Sequence, residues 1–77
     1  MDISERVIDE IRREVAENHV DRGLECDLFY LLSNGFYFPV QNVGTEAVNV
    51  GKSNARIFAW AENDNVEIEI TVKRKGR

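Results

Sequence analysis

The feature that most constrains the fold is an unbroken alternation of apolar and polar side chains over Val66–Lys73. A period of two is typical of a β-strand with one buried face and one solvated face. A second run rich in strand-forming residues, Ile57–Glu62, precedes it, and Asn63–Asn65 lie between the two. Asparagine and aspartate tolerate turn geometry, so the sequence predicts a β-hairpin here.

The length of the hairpin loop decides which face of the first strand is buried, because a slip of one residue exchanges the two faces. A three-residue loop places Trp60 opposite Ile68 and buries Phe58 as well. A two-residue loop places Ala61 opposite Ile68 and leaves both aromatic rings pointing outward beside Arg56. We favour the three-residue loop, because each buried aromatic ring contributes about 1.5–3 kcal/mol.

The chain has 77 residues, of which 43% are hydrophobic and 31% charged, and this balance indicates a single globular domain spanning residues 1–77. Cys26 and His19 are the sole cysteine and histidine. They exclude an internal disulfide and a zinc site built from Cys and His alone, so we expect no metal and no cofactor.

We also expect a cytoplasmic protein without a secretory signal or a membrane-spanning segment. Self-association is the remaining way to stabilise so short a chain.

Charge is distributed unevenly along the chain. The net charge is −4, yet residues 73–77 contain four basic residues and no acidic one. We interpret residues 73–77 as a basic, flexible tail on an acidic body.

An amphipathic helix is predicted from residue 4 to about residue 20. Its apolar residues fall on one stripe at helical spacing, namely Val7, Ile8, Ile11 and Val15. Ser4 is a suitable N-cap and Gly23 a suitable stop. We expect the stripe to pack on the buried face of the C-terminal hairpin, which carries Val66, Ile68, Ile70 and Val72.

The segment from residue 24 to residue 43 has two interpretations. Asn34-Gly35 between apolar runs is a strong hairpin signal, and the many aromatic residues favour strands. In the other interpretation residues 24–34 form a second helix with leucines at helical spacing, and Gly35 with Phe36 ends it. We favour the hairpin. Pro39 would then place the strand over residues 36–41 at a sheet edge or bend it there.

Residues 44–54 indicate a loop with a short strand at Ala47–Val50. The predicted fold class is therefore α+β, with one N-terminal amphipathic helix packed on a three- to four-stranded, mostly antiparallel sheet. The alternative is two N-terminal helices followed by a three-stranded sheet.

Residues with catalytic potential are few and isolated. Gly51-Lys52-Ser53 matches the end of a phosphate-binding loop, but the required glycine five positions earlier is Glu46. Cys26 lies between two acidic residues, which disfavour a reactive thiolate, so we interpret it as a small core residue. His19 is expected at the surface near the end of the helix. We predict that the protein is not an enzyme.

Two functions remain. The first is a protein-interaction or regulatory module, self-associating as a homodimer, with a partner-binding patch formed by Tyr30, Leu32 and Tyr37. The second is association with nucleic acid through the basic tail. Its phosphate-contacting residues would be Arg56, Lys73, Arg74, Lys75 and Arg77.

Overall fold

The computed structural model describes residues 3–17, 19–35 and 38–75, without the side chains of residues 3 and 4. Within these residues, two helices precede three strands: α1 (Ile3–Ala16), α2 (Arg22–Ser33), β1 (Asn42–Val48), β2 (Arg56–Glu62) and β3 (Glu67–Lys73). The α+β class and the antiparallel sheet are confirmed. The arrangement is that of the alternative, with two N-terminal helices followed by three strands.

Helix α1 has the predicted amphipathic character. Val7, Ile8 and Ile11 are half-buried along one stripe, but Val15, the fourth residue of the predicted stripe, is 46% exposed. Asp9 pairs with Arg12 on the solvated side at 3.8 Å, and Glu10, which faces α2, pairs with Arg13. The helix ends at Ala16, earlier than predicted, and Gly23 lies inside the next helix instead of stopping this one.

Helix α2 occupies the segment for which we favoured a hairpin, so that interpretation of residues 24–33 was wrong. Asp21 caps the helix, because its Oδ1 accepts a hydrogen bond from the Leu24 N–H at 3.1 Å. Beyond the last turn, Gly35 adopts a φ of +67° and its N–H donates to the Leu32 carbonyl at 3.1 Å. That left-handed conformation favours glycine, and Asn34-Gly35 therefore ends a helix here and does not turn a hairpin.

The three strands form an antiparallel sheet in the order β1-β2-β3. β1 was misplaced by the sequence interpretation, because residues 38–41 lie outside the strands and the strand begins at Asn42. Its C-terminal end is set by a loop in which Asn49 and Gly51 have φ values of 54° and 81°. Left-handed backbone at these positions favours asparagine and glycine and ends the strand before the expected Val50.

The C-terminal hairpin is present, but its loop has two residues. The Asn63 N–H donates to the Val66 carbonyl at 2.9 Å, and the Asn63 Oδ1 accepts the N–H groups of Asn65 and Val66. Ala61 consequently pairs with Ile68, which leaves Phe58 and Trp60 on the other face. The favoured three-residue loop was wrong, because the Asn63 side chain closes the shorter turn.

The core lies between α2 and one face of the sheet. Leucines of α2 pack on small and branched residues of β2, and the buried cluster is Val20, Leu24, Leu28, Leu32, Ala55, Ile57, Ala59 and Ala61. Helix α1 packs against α2, and its backbone does not approach that of any strand. The expectation that α1 packs directly on the hairpin was therefore wrong, and Ile8 and Ile11 instead line a groove together with Ile70 and Val72 of β3. Alanines on β2 allow the leucine-rich helix α2 to lie close to the sheet, and α1 lies beside α2.

Candidate functional site

The face of the sheet opposite α2 carries the most exposed aromatic side chains of the strands. Phe58 is half-buried and Trp60 is 41% exposed. Both lie on the central strand, so neighbouring strands flank them on either side. Glu69 pairs with Trp60, and Glu46 pairs with Phe58. We call the surface formed by Glu46, Phe58, Trp60 and Glu69 the outer aromatic face.

Trp60 is held in place by a glycine on the adjacent strand. Gly44 pairs with Trp60, and a Cβ built on Gly44 would lie 2.3 Å from Cζ2 of the indole. The indole therefore lies directly across the Gly44 backbone, in space that a side chain at this position would otherwise fill. This contact orients the ring on the sheet and leaves its other side accessible.

Charge changes along the outer aromatic face. At one end the Arg56 Cζ lies 5.8 Å from the centroid of the Phe58 ring, which is cation–π geometry. Lys73 pairs with Arg56 across the hairpin and adds a second cation. Towards the hairpin turn the charged residues on this face are acidic, because Glu62 pairs with Glu67 next to Glu69. Trp60 thus lies on the acidic part of the face, and Phe58 lies next to the basic end.

A second group of functional interest lies between the two helices. Carboxylate oxygens of Glu10, Glu14 and Asp27 lie within 4.8 Å of one another, a spacing that one divalent cation could bridge. The Glu14 Oε2 is shielded from water and has no hydrogen-bond donor among the described residues. Partial burial raises the pKa of Glu14. The neighbouring carboxylates of Asp21, Asp27 and Glu10 raise this pKa further, and His19 lowers it. Burial also raises the pKa of Asp27, with Glu10 and Asp21 acting in the same direction and Arg13 opposing them.

These raised pKa values predict that the carboxylates of Glu14 and Asp27 destabilise the fold near neutral pH. The folded state binds more protons than the unfolded state between the ordinary and the raised pKa of each group, so stability falls as pH increases through that window. Glu14→Gln removes this penalty, and we expect it to raise the free energy of unfolding at pH 7 by only a few tenths of a kcal/mol, because solvent screens a partly exposed carboxylate. The gain should disappear below about pH 3, where the carboxyl is protonated in both states.

Urea unfolding of the wild-type chain and Glu14→Gln at several pH values measures this difference. Glu46→Gln is the control, since it removes one negative charge from the sheet, away from the helices. An equal gain in both variants at pH 7, or a Glu14→Gln gain independent of pH, would contradict the prediction.

The predicted partner patch is not brought together as expected. Tyr30 is 58% exposed on α2, but Leu32 is only 2% exposed and belongs to the core. Leu32 turns inward because residues 24–33 are helical, so it does not contribute to a surface patch. Tyr37 lies outside the described residues. Of the two residues that the structure describes, Tyr30 keeps the exposure that partner binding requires.

Of the predicted basic residues, those that the structure describes lie close to the end of the hairpin. Lys73 belongs to β3 and not to a tail. The Arg74 N–H donates to the Ala55 carbonyl, and its Nη1 donates to the Lys52 carbonyl, both at 2.9 Å. Lys75 is exposed, and Arg77 lies outside the described residues. The flexible-tail prediction therefore does not apply to Lys73 and Arg74.

The structure places Cys26, His19 and Lys52 in three different parts of the fold. Cys26 is an exposed free cysteine, so its interpretation as a core residue was wrong. It occupies the outward side of α2 once that segment is helical. His19 is at the surface, with Nδ1 3.2 Å from the Glu17 carboxylate. Lys52 lies in the loop between β1 and β2, on a chain segment without a following helix.

Comparisons with known proteins give no further guide to this site: no family model, no curated protein and no solved structure matches the chain. Neither α1 nor α2 combines the length and apolar character that a membrane-crossing helix requires.

Sequence reasoning missed the partner of the indole and the acidic trio. Gly44 was assigned to a loop, and its pairing with Trp60 depends on the register of β1. Glu10 and Glu14 are four residues apart, the spacing that places side chains on one face of a helix. Asp27 joins them only because α2 is a helix that packs on α1.

Proposed function

We propose that the protein is a non-enzymatic interaction module that binds a basic segment of a partner protein on the outer aromatic face. The observation that carries this proposal is the position of Trp60, 41% exposed on the uncovered side of the sheet. An exposed tryptophan on a strand-built platform is a common anchor in protein interfaces, where aromatic residues contribute much of the binding energy.

The charge of the surrounding residues favours a cationic partner. Glu69 lies beside the indole, and Glu46 lies on the other edge strand next to it. A lysine or arginine over the ring would gain a cation–π interaction and a carboxylate partner together. The net charge of −4 favours the approach of a basic partner at longer range.

The Gly44 contact supports the same function. Because the ring already rests on the backbone, the side chain loses little conformational freedom when a partner covers it.

A single cysteine, unable to form an intrachain disulfide, suits a regulatory protein of a reducing compartment such as the cytoplasm.

The test uses a labelled twelve-residue peptide of lysine and leucine, with fluorescence anisotropy as the readout. We expect Trp60→Ala to weaken binding at least tenfold and Glu69→Gln about threefold. Glu17→Gln, on an exposed residue of the helical side of the molecule, is the matched charge control and should leave affinity unchanged.

Two further probes separate the competing outcomes. A matched peptide with glutamate in place of lysine should not bind. A labelled single-stranded dT12 should bind more weakly than the basic peptide, because carboxylates flank the ring. Stronger binding of the oligonucleotide, dependent on Arg56 and Lys73, would replace this proposal with nucleic-acid association through the basic end. Peptide binding that is insensitive to Trp60→Ala would exclude the outer aromatic face.

A further inference from the structure

We infer that β3 pairs with β3 of a second copy of this chain, antiparallel and centred on Ile70, so that the two sheets join into one of six strands. β3 is a terminal strand of the sheet. Immediately before and after β3, Val66 is hydrogen-bonded to Asn63 and Arg74 to Ala55, so the backbone groups of Val66 and Arg74 point towards β2. By alternation, the backbone groups of Glu67, Glu69, Thr71 and Lys73 point towards the open edge.

The sequence of β3 is complementary to itself in this register. Antiparallel pairing about Ile70 places Glu67 opposite Lys73 of the other copy, and the two-fold axis produces this pair twice. Glu69 lies opposite Thr71, and both have outward backbone groups, as a hydrogen-bonded pair requires. Opposite charges directly across a ladder stabilise it. The other terminal strand, β1, has Glu46 as its single charged residue, so self-pairing there would bring no opposite charge.

The apolar side of β3 adds a second reason. Ile70 and Val72 are half-buried and line a groove of about 350 Å³, together with Ile8, Ile11 and Arg12 of α1 and with Leu28 and Leu31 of α2. Paired residues of antiparallel strands project to the same face, so the two copies place their helices on one side of the joined sheet. The two grooves then meet across the axis, and each copy shields apolar surface of the other.

The proposal is tested first on the unmodified chain. Sedimentation velocity should show a species of twice the 8.9 kDa chain mass as concentration rises. Hydrogen exchange measured over the same concentrations should show new protection at the amides of Glu69 and Thr71. A strict monomer at hundreds of micromolar, or a dimer whose β3 amides gain no protection, would overturn the proposal.

A charge exchange then tests the register. Lys73→Glu places like charges opposite each other at both ends of the ladder and should weaken self-association at least tenfold. Glu67→Lys combined with Lys73→Glu restores opposite charges and should return the affinity to within about threefold of the original. Lys52→Glu makes the same charge change in the β1–β2 loop and should have no effect. Failure of the double variant to restore association would overturn the Ile70-centred register.

This inference goes beyond binding of a basic partner and fails independently of it. Trp60 faces the outer side of the sheet, and Trp60→Ala should leave self-association unchanged while weakening peptide binding. Loss of the dimer in Trp60→Ala would place the interface on the outer aromatic face and overturn the β3 assignment.

Discussion

Leu24→Ala is expected to lower the free energy of unfolding by about 2–5 kcal/mol. Leu24 is 0% exposed and lies where α2 meets the sheet, so the shortened side chain leaves a cavity that neighbouring side chains cannot fill. A domain of this size has a total stability of about 5–15 kcal/mol, and the variant should lose a large part of it. Urea unfolding followed by circular dichroism measures the change.

Phe29→Ala is the matched control for this result, because it also shortens an apolar side chain of α2. Phe29 is 42% exposed, so its truncation should cost less than about 1 kcal/mol. The comparison tests the central role of α2. If Phe29→Ala were the more damaging of the two variants, α2 would present a different face to the sheet from the one described here.

Gly44→Val is expected to displace the Trp60 ring. The added Cβ would lie within 3.0 Å of three atoms of the indole, at distances of 2.3, 2.7 and 2.9 Å. Either the ring rotates off the backbone or the strands separate, and overpacking of this kind typically costs about 1–3 kcal/mol. Trp60 is the sole tryptophan, so its fluorescence reports the displacement directly. We expect the emission maximum to move to longer wavelength as the indole becomes more exposed to water.

Thr45→Val separates this steric effect from the presence of valine on β1. Thr45 is next to Gly44 on the same strand, already has a Cβ, and lies on the opposite face of the sheet, where it pairs with Ala59. Its replacement should leave the emission maximum of Trp60 unchanged. An unchanged maximum in Gly44→Val would contradict the described contact between the indole and the glycine backbone.

The secondary structure could be predicted wherever one periodicity stood alone. The alternation over Val66–Lys73 required a strand, and the stripe of α1 required a helix, since neither pattern fits the other geometry. Residues 24–34 fit both patterns. Their leucines have the spacing of one helix face, and every second residue from Leu24 to Leu32 also fits one face of a strand. The helix forms there because Asp21 caps its first turn and the left-handed backbone of Gly35 ends it.

The candidate site was harder to predict than the elements that carry it. From the sequence, the exposure of Trp60 depended on the length of the hairpin loop. The expected gain from burying two aromatic rings favoured the three-residue loop over the two-residue loop that Asn63 closes. The structure exposes the rings because α2 covers Ala59 and Ala61, which allow the close approach of a leucine-rich helix. Burial of aromatic area alone was therefore the wrong criterion. The available space between the layers decided the register.

The sequence by itself determined the hairpin, the first helix and the α+β class, because these depend on local periodicity and turn chemistry over a few neighbouring residues. Tertiary structure alone decided which helix covers the sheet, which face of β2 is buried and which carboxylates meet between the helices. Those outcomes depend on how residues far apart in the chain share a limited buried volume. They place Gly44 beneath the indole and Asp27 beside Glu10 and Glu14.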